Sequence, residues 1–138
     1  MRVLLRAPVS TWLVRERRYL GLAFAYSHLI HLLALVALGQ VSQEFVDGLN
    51  AVTLVGGGGA YVFLLLMAAT SNDAAVKALG MRRWSWLHTI GGYYLWIIFF
   101  QSYAPRAFKV SPAYALPTLL LVATMGLRFT AWRQARRR

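Results

Sequence analysis

Four apolar stretches, 19–38, 51–70, 86–103 and 113–132, alternate with short charged or glycine-bearing segments along the 138-residue chain. The first, YLGLAFAYSHLIHLLALVAL, carries no formal charge. At about 1.5 Å of rise per residue it is about 30 Å long, the hydrocarbon thickness of a bilayer. It predicts a membrane-spanning helix. The second, AVTLVGGGGAYVFLLLMAAT, holds four consecutive glycines, Gly56 to Gly59. In water each would cost a helix about 1 kcal/mol relative to alanine, whereas in a membrane helix glycine lets a neighbour approach closely. Tight helix packing and a flat cofactor lying on a bare helix surface both account for the run. It is not a phosphate loop, because no Lys-Ser/Thr pair follows it.

The polar segments supply the punctuation. Pro8 is expected to break any long helix in the lead-in 1–18. GQVSQEFVDGLN, residues 39–50, has turn chemistry in Gly39, Gly48 and Asn50. Ser71-Asn72-Asp73 offers an N-cap for a short helix over 74–79 that Gly80 closes. Trp84 and Trp86 mark an interface before the third span, WLHTIGGYYLWIIFFQSY, which Pro105, Arg106 and Lys109 are expected to end. Ser111-Pro112 then opens the fourth span as N-cap and first helical residue; Pro117 falls early enough to be tolerated.

Charge turns this pattern into a topology. Fifteen Lys and Arg stand against four Asp and Glu, a net charge of +11. In a soluble chain that balance would suggest nucleic acid. Here the basic residues lie between apolar spans, so lipid headgroups are the expected counter-charge and no nucleic-acid partner is expected. Thirteen of the fifteen fall in 1–18, 77–83 and 128–138. The positive-inside rule then predicts an all-α four-helix bundle in a bacterial-type inner membrane, with both termini cytoplasmic. The basic segment 1–18 and the tail 133–138 flank one transmembrane domain, 19–132. Residues 1–14 show no long apolar run followed by a small-residue cleavage site, so no cleaved signal peptide is expected. Hydrophobic residues make up 59% of the sequence and cysteine is absent, which excludes disulfides, thiolate zinc sites and cysteine-held clusters or haem.

The three histidines are the candidate chemistry. His28 and His31 lie three apart on one face of the first span, and His88 stands near the inner end of the third. An unpaired polar group in hydrocarbon costs several kcal/mol, so histidines in a span ask for a partner. Three readings fit. A haem b between helices takes imidazoles as axial ligands and arginines for its propionates; each histidine bonds a hydroxyl inside a cofactor-free structural or assembly subunit; or the imidazoles line a proton or metal-ion path. The expected cofactor residues are His28, His31, His88, Arg17, Arg18 and Arg83, with His31 and His88 as metal ligands. Arg82 and Arg128 complete an inner basic ring. Measured from the inner arginines, His28 lies about 15 Å deep, His31 about 20 Å and His88 about 8 Å.

Several separated motifs carry a family resemblance. Arg17-Arg18-x-Leu20-Gly21-Leu22 has His31 ten residues after its glycine. Thr70-Ser71 precedes Leu79-Gly80-x-Arg82-Arg83-Trp84-x-x-Leu87-His88, and Tyr93-Tyr94-Leu95-Trp96 follows. Together they resemble the ferric reductase-like transmembrane domain superfamily, which takes in ferric reductases, NADPH oxidases and sulfoxide reductase haem-binding membrane subunits. The resemblance covers about 15–128. It implies a b-type haem protein moving electrons across the membrane, an oxidoreductase component fed by a flavin- or quinol-dependent donor or partner protein. The chain departs from the pattern in two ways. Family members usually have six spans, against four here without the one expected before Arg17, and the family's second histidine, thirteen residues after the Leu-His pair, is Gln101 in this sequence.

Overall fold

The computed structural model describes residues 8–136, and all of its regular elements there are helical: α1 (Pro8–Val41), α2 (Gln43–Asp47), α3 (Ala51–Ala69), α4 (Asp73–Lys109), a 3-10 turn (Pro112–Tyr114) and α5 (Ala115–Arg136). The expected basic residues Arg2, Arg6, Arg137 and Arg138 lie outside the described residues.

Two boundaries correct the sequence reading. Pro8 does not break a helix; it is the first residue of α1, which runs for 34 residues. Proline is well placed there, since a first-turn N–H has no intrahelical acceptor and the ring already holds the helical φ. Pro105 does not end α4 either, because the helix continues to Lys109. Pro105 removes only the N–H that would reach the Gln101 carbonyl, and in the following turn the Arg106 guanidinium donates to the Ser102 carbonyl at 2.6 Å. Other caps follow the expected chemistry. Ser42 accepts from the Phe45 N–H, Asn50 from the Thr53 N–H at 2.8 Å and Ser111 from the Ala113 N–H.

The chain divides into two compact units. The unit 16–95 contains α1 from Glu16, α2, α3 and α4 as far as Leu95. Its core is the seam of α3 with α4, where Ala60, Leu64 and Gly91 are buried. At Gly91 a β-carbon would come within 2.5 Å of Met67 Sδ and 3.2 Å of Phe63. Hydrogen in place of a side chain is what lets α3 lie close. Gly59 plays the same part against Tyr94, whose hydroxyl donates to the Gly56 carbonyl at 3.2 Å; β-carbons at Gly57 and Gly58 would meet nothing within 4 Å. The glycine run is therefore a packing device at Gly59.

The other unit contains α1 before Glu16, α4 from Trp96, the 3-10 turn and α5. In it Trp96 donates its indole N–H to the Leu121 carbonyl at 2.9 Å, and Tyr103 meets Tyr114 with ring centroids 6.2 Å apart. These contacts tie the part of α4 from Trp96 onward to the 3-10 turn and to the first third of α5.

Three helical segments are long and apolar enough to cross a membrane: Arg15–Val41, Ala51–Ala69 and Pro112–Thr130. The part of α4 beyond Gly80 has sufficient length, but His88, Gln101 and its many Tyr and Trp residues dilute its apolar character. Large apolar side chains such as Leu33, Val52, Val55 and Leu119 stand more than half exposed. In water such surfaces would drive association; in a bilayer they are the lipid-facing side. The protein is an all-helical membrane protein.

Candidate functional site

Four residues make the corner on which the site is built. Where α3 ends, the Thr70 hydroxyl donates to the Leu66 carbonyl at 2.7 Å and the Ser71 hydroxyl to the Met67 carbonyl at 2.6 Å. Asn72 donates to the Ala69 carbonyl at 2.9 Å and accepts from the Ala75 N–H at 2.8 Å. Side chains thus satisfy the last carbonyls of one helix while Asn72 caps the next. Gly80 then interrupts α4 with φ 75° and ψ 148°, a backbone open to glycine and strained for other residues. The helix restarts directly after it, and Trp84 and His88, one turn apart, both come to the corner. The Trp84 indole donates to the Thr70 carbonyl at 2.9 Å, its ring stacks on His88 at 4.2 Å, and His88 Nε2 lies 3.1 Å from the Thr70 hydroxyl.

A cavity of about 480 Å³ opens beside this corner, between α1, α3 and α4 within the unit 16–95. That size is in the range of about 300–1,000 Å³ usual for cofactor sites. Arg17, Arg18, Gly21 and Phe24 line it from α1, and Trp84 and His88 from α4. Leu64 and Met67 supply apolar wall from α3. Arg18 is paired with Asp73, both substantially exposed; Arg17 has no ion-pair partner among the described residues. A β-carbon at Gly21 would meet nothing within 4 Å, so the α1 wall is bare where it faces the cavity.

Within the unit 16–95 the structure brings His88, Arg17 and Arg18 to one cavity, and Arg83, His28 and His31 do not line it. Arg83 is exposed and does not line the cavity. Arg128 lies in the unit that includes 96–138. His28 and His31 continue the α1 stripe Arg17, Gly21, Phe24 at alternating steps of four and three, but beyond the lining. His28 is half-buried, with Nδ1 2.9 Å from the Phe24 carbonyl and its ring 4.1 Å from that of Phe24. His31 is exposed, its ring 6.4 Å from that of His28. Two parts of the site escaped the sequence reading. The sequence assigns Thr70 no role beyond the Thr70-Ser71 motif and presents Asp73 only as part of a cap; Arg18 and Asp73 stand 55 positions apart, and only the fold pairs them.

Among the described residues no cluster of three or more His, Asp or Glu side chains is assembled that could hold a bare metal ion. A porphyrin makes a lighter demand, since it carries four nitrogens of its own and asks the protein for one or two axial donors. It also needs an apolar slot with bare wall and cations near its carboxylates. One imidazole, two guanidiniums, apolar walls and the uncovered Gly21 surface fit that group.

Comparison with known proteins points the same way. Over 147 aligned positions covering all of this chain and 64% of the relative, it is 35% identical to the protein-methionine-sulfoxide reductase heme-binding subunit MsrQ of Polaromonas naphthalenivorans. The subunit of the same name from Ralstonia nicotianae is 38% identical over 88 residues, 62% of this chain and 41% of the relative. That from Herminiimonas arsenicoxydans is 38% identical over 82 residues, 57% and 38%. The chain spans between about two fifths and two thirds of these relatives' length. No family model and no solved structure matches it. Over its whole length the chain is therefore similar to MsrQ haem-binding subunits, which are ferric reductase-like membrane proteins.

Proposed function

We propose that this chain binds haem b in the cavity bounded by α1, α3 and α4 and carries electrons across the bacterial inner membrane for a protein-methionine-sulfoxide reductase. The observation that supports this most is the meeting of His88 with Arg17 and Arg18 on one cavity of cofactor size. Homology to subunits named as haem-binding supports it independently. Bound there, the haem supplies a one-electron carrier. His88 offers an imidazole to the iron, Arg17 and Arg18 neutralise the propionates, and Phe24, Leu64 and Met67 exclude water. Asp73 keeps Arg18 directed toward the mouth of the cavity and lowers the positive charge there.

The wider architecture is part of the proposal. Four spans with both termini cytoplasmic follow from the distribution of Lys and Arg, with the outer part of α4 as the third span. Electrons come from a flavin- or quinol-dependent donor, and the catalytic reductase subunit is the acceptor. Reporter fusions after Val46, Val76, Ala107 and Arg138 should read outside, inside, outside and inside; an outside reading at Arg138 would sink this topology.

The cavity assignment is tested by titrating haem into the purified protein and following the Soret band. Arg17→Gln should lower haem retention several-fold, whereas Arg83→Gln, outside the lining, should retain it as wild type does. Equal loss in both variants would reject the cavity as the site and favour a general effect of surface charge. A wild type that develops no band would leave the cofactor-free reading, which the hydroxyl partner of His88 supports.

A further inference from the structure

A hydroxyl has one proton to give. Thr70 Oγ1 lies 2.7 Å from the Leu66 carbonyl, with the Met67 carbonyl at 3.3 Å as a weaker second acceptor. Carbonyl oxygens only accept, so this proton is committed to α3. Toward His88, 3.1 Å away, Oγ1 can then only accept, and the imidazole must donate from Nε2. A neutral ring with its proton on Nε2 carries its lone pair on Nδ1. The ring cannot turn easily to reverse this, because Trp84 stacks on it at 4.2 Å and is itself pinned by its bond to the Thr70 carbonyl.

His28 is held the other way. Its Nδ1 is 2.9 Å from the Phe24 carbonyl, which can only accept, so in the neutral ring the proton is on Nδ1 and the lone pair on Nε2. The partner in that case is the backbone of its own helix, one turn back. For His88 the partner is a side chain delivered by another helix, and a side chain can be changed by mutation.

We propose that Thr70 is a positioning residue for His88: by accepting the Nε2–H it fixes the imidazole tautomer and leaves Nδ1 as the basic nitrogen. A group that binds an electrophile or metal through one imidazole nitrogen is oriented, and made more basic, by an acceptor on the other. If the haem reading holds, on which this consequence rests, Thr70 tunes the haem through the hydrogen bond to its ligand and touches no part of the cofactor itself.

The test begins on the protein without haem, in detergent or nanodiscs, with nitrogen-15 labelled histidine. In wild type the His88 ring should show one tautomer, protonated at Nε2, with that proton exchanging slowly with water. Thr70→Ser should keep both properties. Thr70→Val should lose the slow exchange or show a mixture of tautomers, with helix content unchanged. A wild-type His88 protonated at Nδ1, or Thr70→Val with the same slowly exchanging Nε2–H, would overturn the proposal. Because wild type and Thr70→Ser decide the assignment, a Thr70→Val protein that failed to fold would not rescue it. The second arm uses haem-loaded protein: the midpoint potential should shift in Thr70→Val and return to the wild-type value in Thr70→Ser. An unchanged potential in Thr70→Val would deny Thr70 the tuning role. A chain that takes up no haem would defeat the functional reading while the nitrogen-15 result still stood.

Discussion

The Thr70–His88 corner of the 16–95 unit and the α1 stripe beyond Phe24 each hold imidazole in an apolar setting, and they treat it differently. His88 is held from two sides, by the hydroxyl of Thr70 and the ring of Trp84, and it borders a cavity with two guanidiniums. His28 leans on its own helix, and His31 is exposed with a ring edge of His28 beside it. Both places satisfy the demand that a polar group in hydrocarbon find company. Among the described residues, the corner at His88 combines an imidazole, cations and space. A histidine within a span therefore gains a site when a corner between two other helices is brought to it, and α1 beyond Phe24 has no such corner facing it among the described contacts.

Removing the rings that support each imidazole should sharpen this contrast most. Trp84→Ala deletes the stack on His88 and the donor to the Thr70 carbonyl, and should cost about 2–4 kcal/mol of stability. Phe24→Ala leaves the carbonyl that holds His28, so it should cost less than Trp84→Ala and leave His28 bonded. Thermal unfolding followed by circular dichroism, with the histidine nitrogen-15 signals, measures both. Equal losses would break the comparison.

The glycine pair Gly91-Gly92 should give a smaller split. Gly91→Val drives a side chain into Met67 and Phe63, an overpacking that costs about 1–3 kcal/mol. At Gly92 a β-carbon meets nothing within 4 Å, so Gly92→Val should cost no more than a few tenths of a kcal/mol in the same unfolding measurement. Smallest of all, Asp73→Asn removes an exposed ion pair with Arg18 and should lower stability by under about 1 kcal/mol, an effect that shrinks further as salt is added. A loss of several kcal/mol would mean that this exposed pair is a principal tie between α1 and the start of α4, against the small effect expected here.

Much of this arrangement was legible in the sequence. The apolar runs mark α1, α3 and α5, because an uncharged stretch of bilayer length has few other fates. Asn72 and Gly80 announce themselves as cap and break through their own backbone chemistry. Proline misled at both Pro8 and Pro105. Its effect depends on its position in the helix: a first-turn proline loses no hydrogen bond, and one near the C-terminal end, such as Pro105, removes a single helical donor while the helix runs on to Lys109. The site was partly visible. His88, Arg17 and Arg18 could be named from residue type and level, whereas Thr70 could not be joined to His88, since their contact depends on the turn at Gly80 and on the rotamer of Trp84. Neither is a property of spacing along the chain. His28 and His31, expected as cofactor residues, continue the stripe from Arg17 but lie past the α1 lining of this cavity, which ends at Phe24 and Ala25.

The central claim, that His88 and not the outer pair is the ligand on which haem binding depends, is tested most directly by the dithionite-reduced minus oxidised spectrum of three purified proteins loaded with haem. Wild type and His31→Ala should both show the reduced α-band, and His88→Ala should show none while still inserting into the membrane. A band that survives in His88→Ala, or one that vanishes with His31→Ala alone, would contradict the account.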